Sequence, residues 1–556
     1  MKRHINKWFA GLALMAAPVL VSCGSDYLET APSESVNATD ALSTAENAYN
    51  ALNGIARTMT CQQAAWSQGC AGESRIVSIY ENYPSQDYFY NYYAQGWAPI
   101  MNLKYSLRNN TSYDAYPYYY YYTIAGQANS ILAHIDDAEG DEDLQKFVKA
   151  SALTYRAYAF EKLMHYYCPR WQDSQNGSAE GIILRLDESI GSQAPSSMAE
   201  CYNQIYTDLD NAIALFEESG FDRPSNDVWI ANEDVAHAVY ARAALTRQDY
   251  AKALEEAQLA RANHPLMSNL EYQGGFCRPN SEWILGSYGD ATENQWYWSY
   301  GTQYSCNGYY SYASACGSGA MNKDLYEQIP NDDARKALYL TADKFPSWDN
   351  EIGTERYYPA YGIIGLFSGN LAMEIYSYIM RLHQLTTSSM SAPFGLDSND
   401  PDEWGYFYEG GQLKFFVFDT PGVHYLCMIR GAEMLLIEAE ANYFLGNEAD
   451  AQANLVELNA TSGRNPAYTC DKSGDDLFNE IVTYREFELW GEGFGYSDYK
   501  RWNLPIVRRG LAAGGNAAAA IAVTIPANDP NWTWVIPQYE TDFNDAYKST
   551  ADPEAE

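Results

Sequence analysis

The chain has 556 residues, with 72 Asp and Glu against 35 Lys and Arg and a formal net charge of −37. That balance excludes nucleic acid as a ligand, because phosphate contacts need a basic face, and it favours a soluble body with a neutral ligand. The ring content points the same way: 49 Tyr and 14 Trp stand against 19 Phe, although Phe packs without a hydroxyl to satisfy, whereas Tyr and Trp combine an apolar face with a polar tip.

The first residues are basic, Met1-Lys2-Arg3-His4 with Lys7; an apolar stretch from Trp8 to Val21 follows and ends in Leu20-Val21-Ser22-Cys23-Gly24. The stretch is too short to span a bilayer and stops at a small-residue cleavage site, so residues 1–22 read as a removable signal peptide. Leu-x-Ser-Cys resembles the bacterial lipobox, which makes Cys23 the acylated first residue of the mature protein and residues 23–40 a polar tether.

Amphipathic helices are expected from Ser43, where Ser43-x-x-Glu46 fits a capping box, and then at about 121–136, 143–167, 199–217, 234–247 and 250–263. Pro117 followed by Tyr118 to Tyr122 reads as a helix start, with five rings spread around every face so that some stay exposed and Tyr122 is core. Tyr250, Ala253, Ala260 and Pro265, behind Ala241 and Ala244, resemble a tetratricopeptide repeat. A weaker copy runs from Arg430 through Ala439, Gly446 and Ala451 to Leu458. Between them, residues 272–420 are rich in Gly, Ser, Trp, Tyr and Asn, which predicts long loops and short strands. The fold class is therefore mainly α: a tetratricopeptide-like helical-repeat scaffold with long loop-rich insertions and a few short strands, divided into 41–270 and 271–556.

Catalytic motifs are missing from the sequence: there is no His-Glu-x-x-His, no Gly-x-Ser-x-Gly and no Gly-Lys-Ser/Thr loop. The acidic run Asp397-Ser-Asn-Asp400-Pro-Asp402-Glu403 has oxygen ligands enough for calcium but lacks the alternation and glycine turn of a calcium loop, so a solvated turn is expected. Beyond Cys23 there are nine cysteines, an odd number. The spacings 61/70 and 306/316 suit short disulfide loops, Cys61–Cys70 and Cys306–Cys316, with buried reduced thiols the other reading.

Near the C-terminus comes Glu433-Met434-Leu435-Leu436-Ile437-Glu438-Ala439-Glu440-Ala441, then Leu445-Gly446 and Leu458-Asn459. Further on stand Tyr484-Arg485-Glu486-Phe487-Glu488-Leu489, Gly491-Glu492-Gly493, Asp498-Tyr499-Lys500-Arg501-Trp502, and Ile536-Pro537 with Glu540 and Asn544. This pattern resembles the SusD/RagB family, and Ala128-Asn129, Arg156-Ala157-Tyr158 and Ile205-Tyr206-x-Asp208-Leu209 extend the resemblance to the N-terminal half. Tyr484 stands where that family usually has Glu, and Gly495 where an arginine is common, departures that bear on a local ion pair.

The resemblance implies a non-catalytic, glycan-capturing lipoprotein on the surface of the outer membrane, lying over a SusC-like TonB-dependent transporter. It also leaves peptide capture open; a protein-binding scaffold and a surface hydrolase are the readings from other classes. Two aromatic clusters, Tyr88 to Trp97 and Trp296-Tyr297-Trp298-Ser299-Tyr300 with Tyr309 and Tyr310, resemble the family's ligand-facing regions. In an extended segment Trp296, Trp298 and Tyr300 share one side, so Trp97, Trp296, Trp298 and Tyr300 are expected to form a platform for one sugar chain, with Tyr309 and Tyr310 beside it.

Overall fold

A computed structural model describes residues 38–61, 71–91, 94–289, 305–306, 319–355, 357–365, 369–384, 406–416 and 425–547. Two units divide the chain: Met1–Ala41, of which the helical turn Ala38–Ala41 is described, and Leu42–Glu556. In chain order the principal helices of the larger unit are α1 (Ala45–Thr60), α2 (Ala94–Met101), α3 (Ser112–His134), α4 (Glu142–Tyr167), α5 (Met198–Ser219), α6 (Glu233–Arg247) and α7 (Tyr250–Arg261). They continue with α8 (Asn370–Leu382), α9 (Gly431–Phe444), α10 (Glu448–Val456), α11 (Gly474–Leu489), α12 (Gly495–Trp502) and α13 (Gln538–Phe543). No described helix is long and apolar enough to cross a membrane.

The caps explain where helices begin, and they correct two expectations. Thr44, not Ser43, caps α1: its hydroxyl accepts from the Asn47 amide at 3.2 Å. α3 starts well before Tyr121, at a capping box made by Thr111 and Asp114, so Pro117 lies inside the helix rather than at its start. A proline there leaves the carbonyl four residues back without its helical donor. The Tyr80 hydroxyl donates to that orphaned Tyr113 carbonyl at 2.7 Å.

Helices adjacent in sequence pack side by side from α3 through α7. The two repeat-like segments form the hairpins α6–α7 and α9–α10, and Ala241, Ala244, Ala253, Ala260, Ala439 and Ala451 are all buried in them. Small side chains at these points let the helix axes approach closely. α7 packs directly on α9, so the stack continues as though the chain between them were an excursion. The excursion is closed at its neck by strands β2 (Trp283–Gly286) and β7 (Cys427–Arg430), antiparallel with Trp283 opposite Arg430. Other sheets are small: β1 (Tyr88–Phe89) with β3 (Ala320–Met321), the three-stranded β4 (Tyr357–Tyr358), β5 (Ile363–Gly365) and β6 (Tyr406–Tyr408), and β8 (Ile506–Val507) with β9 (Thr524–Ile525).

Buried polar junctions lock these layers. Arg156 of α4 donates to Asp208 of α5 at 2.6 Å and to the Asn129 side chain of α3 at 3.0 Å, so three motif residues from three helices meet at one point. A larger charge centre joins the excursion to the stack. Glu488 of α11 faces Arg430 at 3.0 Å, Arg335 at 3.1 Å and Arg464 at 3.7 Å. Arg430 also reaches Glu282 and Glu492, each at 2.7 Å, while Lys414 reaches Glu492 at 2.5 Å. Arg335 is further held by Asp333 at 2.6 Å. Desolvation would make any of these charges expensive alone; four cations among four carboxylates leave none uncompensated.

The two family departures both fall in packing. Tyr484 lays its ring 5.3 Å from the Arg335 guanidinium carbon, and Arg485 keeps a buried ion pair with Asp498 at 2.6 Å. A Cβ on Gly495 would come within 2.2 Å of the Ser85 Cβ, so no larger residue fits without displacement. Gly491 and Gly493 adopt left-handed φ values of 77° and 91°, and they shape a turn rather than a nucleotide loop.

Candidate functional site

The tyrosine-rich run in α3 is mostly structural, against the expectation of exposed rings. Tyr118, Tyr120 and Tyr121 are buried, while Tyr119 and Tyr122 are half-buried, because α1, α4 and neighbouring segments surround the helix on most sides. Their hydroxyls explain why Phe would not serve. Tyr120 and Tyr121 donate to buried Glu73 at 3.1 and 3.4 Å, and Tyr166 donates to Glu81 at 2.5 Å. Burial raises the Glu73 carboxyl above its ordinary range, and the nearby Lys162 charge and the Tyr120 hydroxyl oppose the rise by favouring the ionised form.

Much of the first aromatic cluster, expected in a loop, is also core. Tyr88 and Phe89 form β1 and Tyr90 follows it, all three buried; the Tyr88 ring stacks on Trp490 at 5.0 Å. Trp97 differs. It sits on the short helix α2, half-buried, and packs edge-on against Tyr83 at 5.5 Å and Tyr113 at 6.1 Å. Tyr113 in turn stacks with Tyr105 at 4.9 Å, and the exposed Arg108 lies 5.0 Å over the Tyr105 ring.

Trp97, Tyr105 and Tyr113 are therefore three ring systems held by their neighbours and only partly withdrawn from water. Such rings bind by their apolar faces and lose little freedom doing so. Tyr105 and Tyr113 were not singled out from sequence; their signal would have been a tyrosine on either side of the polar segment that leads into α3.

Trp296, Trp298, Tyr300, Tyr309 and Tyr310 lie outside the described residues, as do Cys23, the acidic run 397–403, Cys70 and Cys316. Between the two aromatic groups, Ser305 and Cys306 are buried, and the Cys306 amide donates to the Phe415 carbonyl at 2.7 Å. Cys306 belongs to a second, smaller core that contains Leu340, Trp348, Ile375 and Phe416. The chain bearing the expected platform is thus anchored between its two aromatic groups. Cys61 is buried, with its sulfur 3.4 Å from the Tyr288 hydroxyl.

Comparison with known proteins agrees with this architecture. Residues 421–552 match the SusD family, and residues 26–245 match a family described as starch-binding and associating with the outer membrane. Among solved structures, a SusD-like carbohydrate-binding protein of Bacteroides vulgatus superposes with a TM-score of 0.68 at 19% identity, covering 91% of this chain and 98% of its own. A SusD superfamily protein of Bacteroides thetaiotaomicron gives 0.63 at 20% identity over 91% and 99%. A laminarin-binding SusD-like protein gives 0.57 at 17% identity over 89% and 96%. Comparison with curated protein sequences gives no match. The two sequence matches together take in more than half of the chain, the structural likeness runs through its helical stack, and the chain belongs to the SusD family.

Proposed function

We propose that this protein captures neutral oligosaccharide or polysaccharide without cleaving it, at the outer face of the outer membrane. Acyl chains on Cys23 hold it there, and the ligand passes to a SusC-like TonB-dependent transporter partner. The observation that carries the reading is Trp97, half-buried and clamped edge-on by Tyr83 and Tyr113 in a chain of this family. Trp296, Trp298 and Tyr300, with Tyr309 and Tyr310, complete the proposed platform. Similarity to a laminarin-binding protein supports a glycan ligand. Non-catalytic capture fits the way the body uses its buried carboxylates: Glu488, Glu492 and Asp208 each face arginine and hold the fold together.

Binding to a panel of neutral polysaccharides, laminarin included, and to peptides tests the proposal. Saturable binding to at least one glycan without product release is expected. Trp296→Ala and Trp298→Ala should each weaken that binding by about 1–3 kcal/mol, as loss of a stacking ring does for bases, with thermal stability nearly unchanged. Peptide binding alone, sugar release, or loss of stability without loss of binding would each refute it. Cys23→Ala should abolish membrane partitioning and surface labelling, and persistence of both would remove the anchor.

A further inference from the structure

Beside the Trp97 cluster lies a second candidate surface. A groove of about 590 Å³ opens between the first turns of α3 and the last helix, α13, a volume within the roughly 300–1,000 Å³ of small-ligand sites. Its lining includes Tyr119, Tyr539, Asn109, Asn110, Gln538 and Asp542, with no Lys or Arg among the described residues. Ser112, Ala115 and Tyr119 share the face of α3 that borders it, and Tyr113 points about 100° away from Ser112, so the groove and the Trp97 cluster use different faces of one helix.

The surface that runs on from Tyr539, beside the groove, is unusual for a folded protein. Tyr539 is 68% exposed and Phe543, one turn on, is 77% exposed, yet their rings stack 6.2 Å apart and only 7° from parallel. Two large exposed rings in one contiguous patch mark a recognition surface more often than an accident of packing. The backbone beneath them is fixed: the Gln538 amide donates to the Asn109 carbonyl at 2.7 Å, the Val535 amide to Ser106 at 2.9 Å, and the Asn544 side chain to the Gln193 carbonyl at 2.8 Å. A ligand would meet a rigid wall and save ordering cost.

The chemistry selects the occupant. Side-chain amides carry donors and acceptors together, as a ring of sugar hydroxyls requires, while near-parallel rings offer the apolar plane that C–H faces cover. Burial pushes the Tyr119 hydroxyl up to about 12, so it stays a neutral donor. The Asp542 carboxylate in the lining disfavours anionic chains. We propose that this groove is a second oligosaccharide subsite, in which successive sugars of a neutral chain lie on Tyr539 and Phe543 while Asn109, Asn110, Gln538 and Asp542 bond their hydroxyls. The assignment rests on the glycan-capture reading and adds to it an avidity site that grips the same chain twice.

The test compares wild-type protein, the double variant Tyr539→Ala/Phe543→Ala, and Trp97→Ala/Trp298→Ala, by calorimetry against neutral α-glucan, β-glucan, mannan and xylan polysaccharides, their hexasaccharides, and a Lys-rich peptide. For a glycan that wild type binds, the groove variant should lose at least tenfold in affinity for the polysaccharide, with a melting temperature within about 2 °C of wild type because both rings are exposed. The hexasaccharide should slow amide exchange in residues 109–119 and 537–543. Undiminished affinity in the groove variant together with loss in the Trp97 variant would overturn the subsite and leave the capture reading intact. Wild type that binds no glycan would overturn both. Protection of the groove by the peptide and not by the hexasaccharide would reassign it to a protein ligand and overturn the subsite.

Discussion

Arg430 and Glu488 lie 3.0 Å apart with both side chains shut away from water, one at the end of strand β7 and the other near the end of α11. Burial would raise the Glu488 carboxyl, but Arg464, Arg430, Arg335 and Lys414 overcome it and hold the group down at about 2. Glu488→Gln leaves four cations short of a counter-charge and should cost about 3–5 kcal/mol of stability at pH 7. Because the folded value lies below the ordinary one, the stabilisation is complete above about pH 4.5 and fades as pH falls towards 2. Chemical denaturation at pH 7 and pH 3 should therefore show a gap between wild type and variant that narrows in acid; a constant gap would contradict the network.

A second carboxylate pair behaves oppositely. Burial raises Glu486 to about 7, despite hydrogen bonds from Tyr499 and Asp87, and raises Asp87 as well, with Glu486 as its neighbouring charge. A raised folded value means that stability is fully present below about pH 4.5 and is lost as pH rises through 7, an effect of about 3 kcal/mol for a shift of this size. Glu486→Gln removes the titration. Melting temperature measured from pH 5 to pH 8 should fall more steeply in wild type than in the variant, and parallel profiles would show that the pair does not share a proton.

Gly495 is tested by adding one methyl group. Its Cβ would sit 2.2 Å from the Ser85 Cβ, so Gly495→Ala should cost about 1–3 kcal/mol through overpacking. Gly495→Ala combined with Ser85→Gly should recover much of that loss in a urea melt; no recovery would place the strain elsewhere.

Trp97→Ala should act on two readouts at once. The ring is half-buried against Tyr83 and Tyr113, so its removal should lower stability by less than the ~3–5 kcal/mol of a fully buried tryptophan. Glycan affinity should fall in the same variant. A stability loss at the full-burial level with unchanged affinity would make Trp97 a packing residue only.

Peptides mapped without reduction decide between the two readings of the cysteine spacing: Cys61–Cys70 and Cys306–Cys316 bonds, each closing a loop worth roughly 2.5–3 kcal/mol in the chain-entropy model, or buried reduced thiols. Cys168 and Cys201 are buried, and burial pushes their thiols well up, Cys201 to about 12. Alkylation of the native protein should leave both untouched, and rapid labelling would show that their surroundings open.

The helical stack was legible because its demands are periodic and chemical. Alanines at close helix contacts and paired opposite charges such as Arg156 with Asp208 and Arg485 with Asp498 tolerate few alternatives, and they stood out as motifs. They proved to be the scaffold. A proposed ligand surface is harder to read, because an exposed ring such as Tyr539 packs on little of the fold and leaves no period in the sequence. Tyr118, Tyr120 and Tyr121 show the converse error: rings all round a helix implied exposure, but buried Glu73 took up two of the hydroxyls and the neighbouring helices closed over all three. The start of α3 was misplaced because Pro117 masks a helix whose missing bond is supplied by the distant Tyr80.

The neck formed by β2 and β7 fixes where the excursion begins and ends. The chain leaves at Gly286 and returns at Cys427, paired across the ladder, so whatever lies between starts and ends at one place. Closing a longer loop costs only about 0.6 kcal/mol for each doubling of length. Within the excursion, β3 pairs with β1, and Arg335 and Lys414 neutralise Glu488 and Glu492, so these parts are tied to the stack at fixed points. The neck is a socket in which the helical frame seats one long excursion by both of its ends.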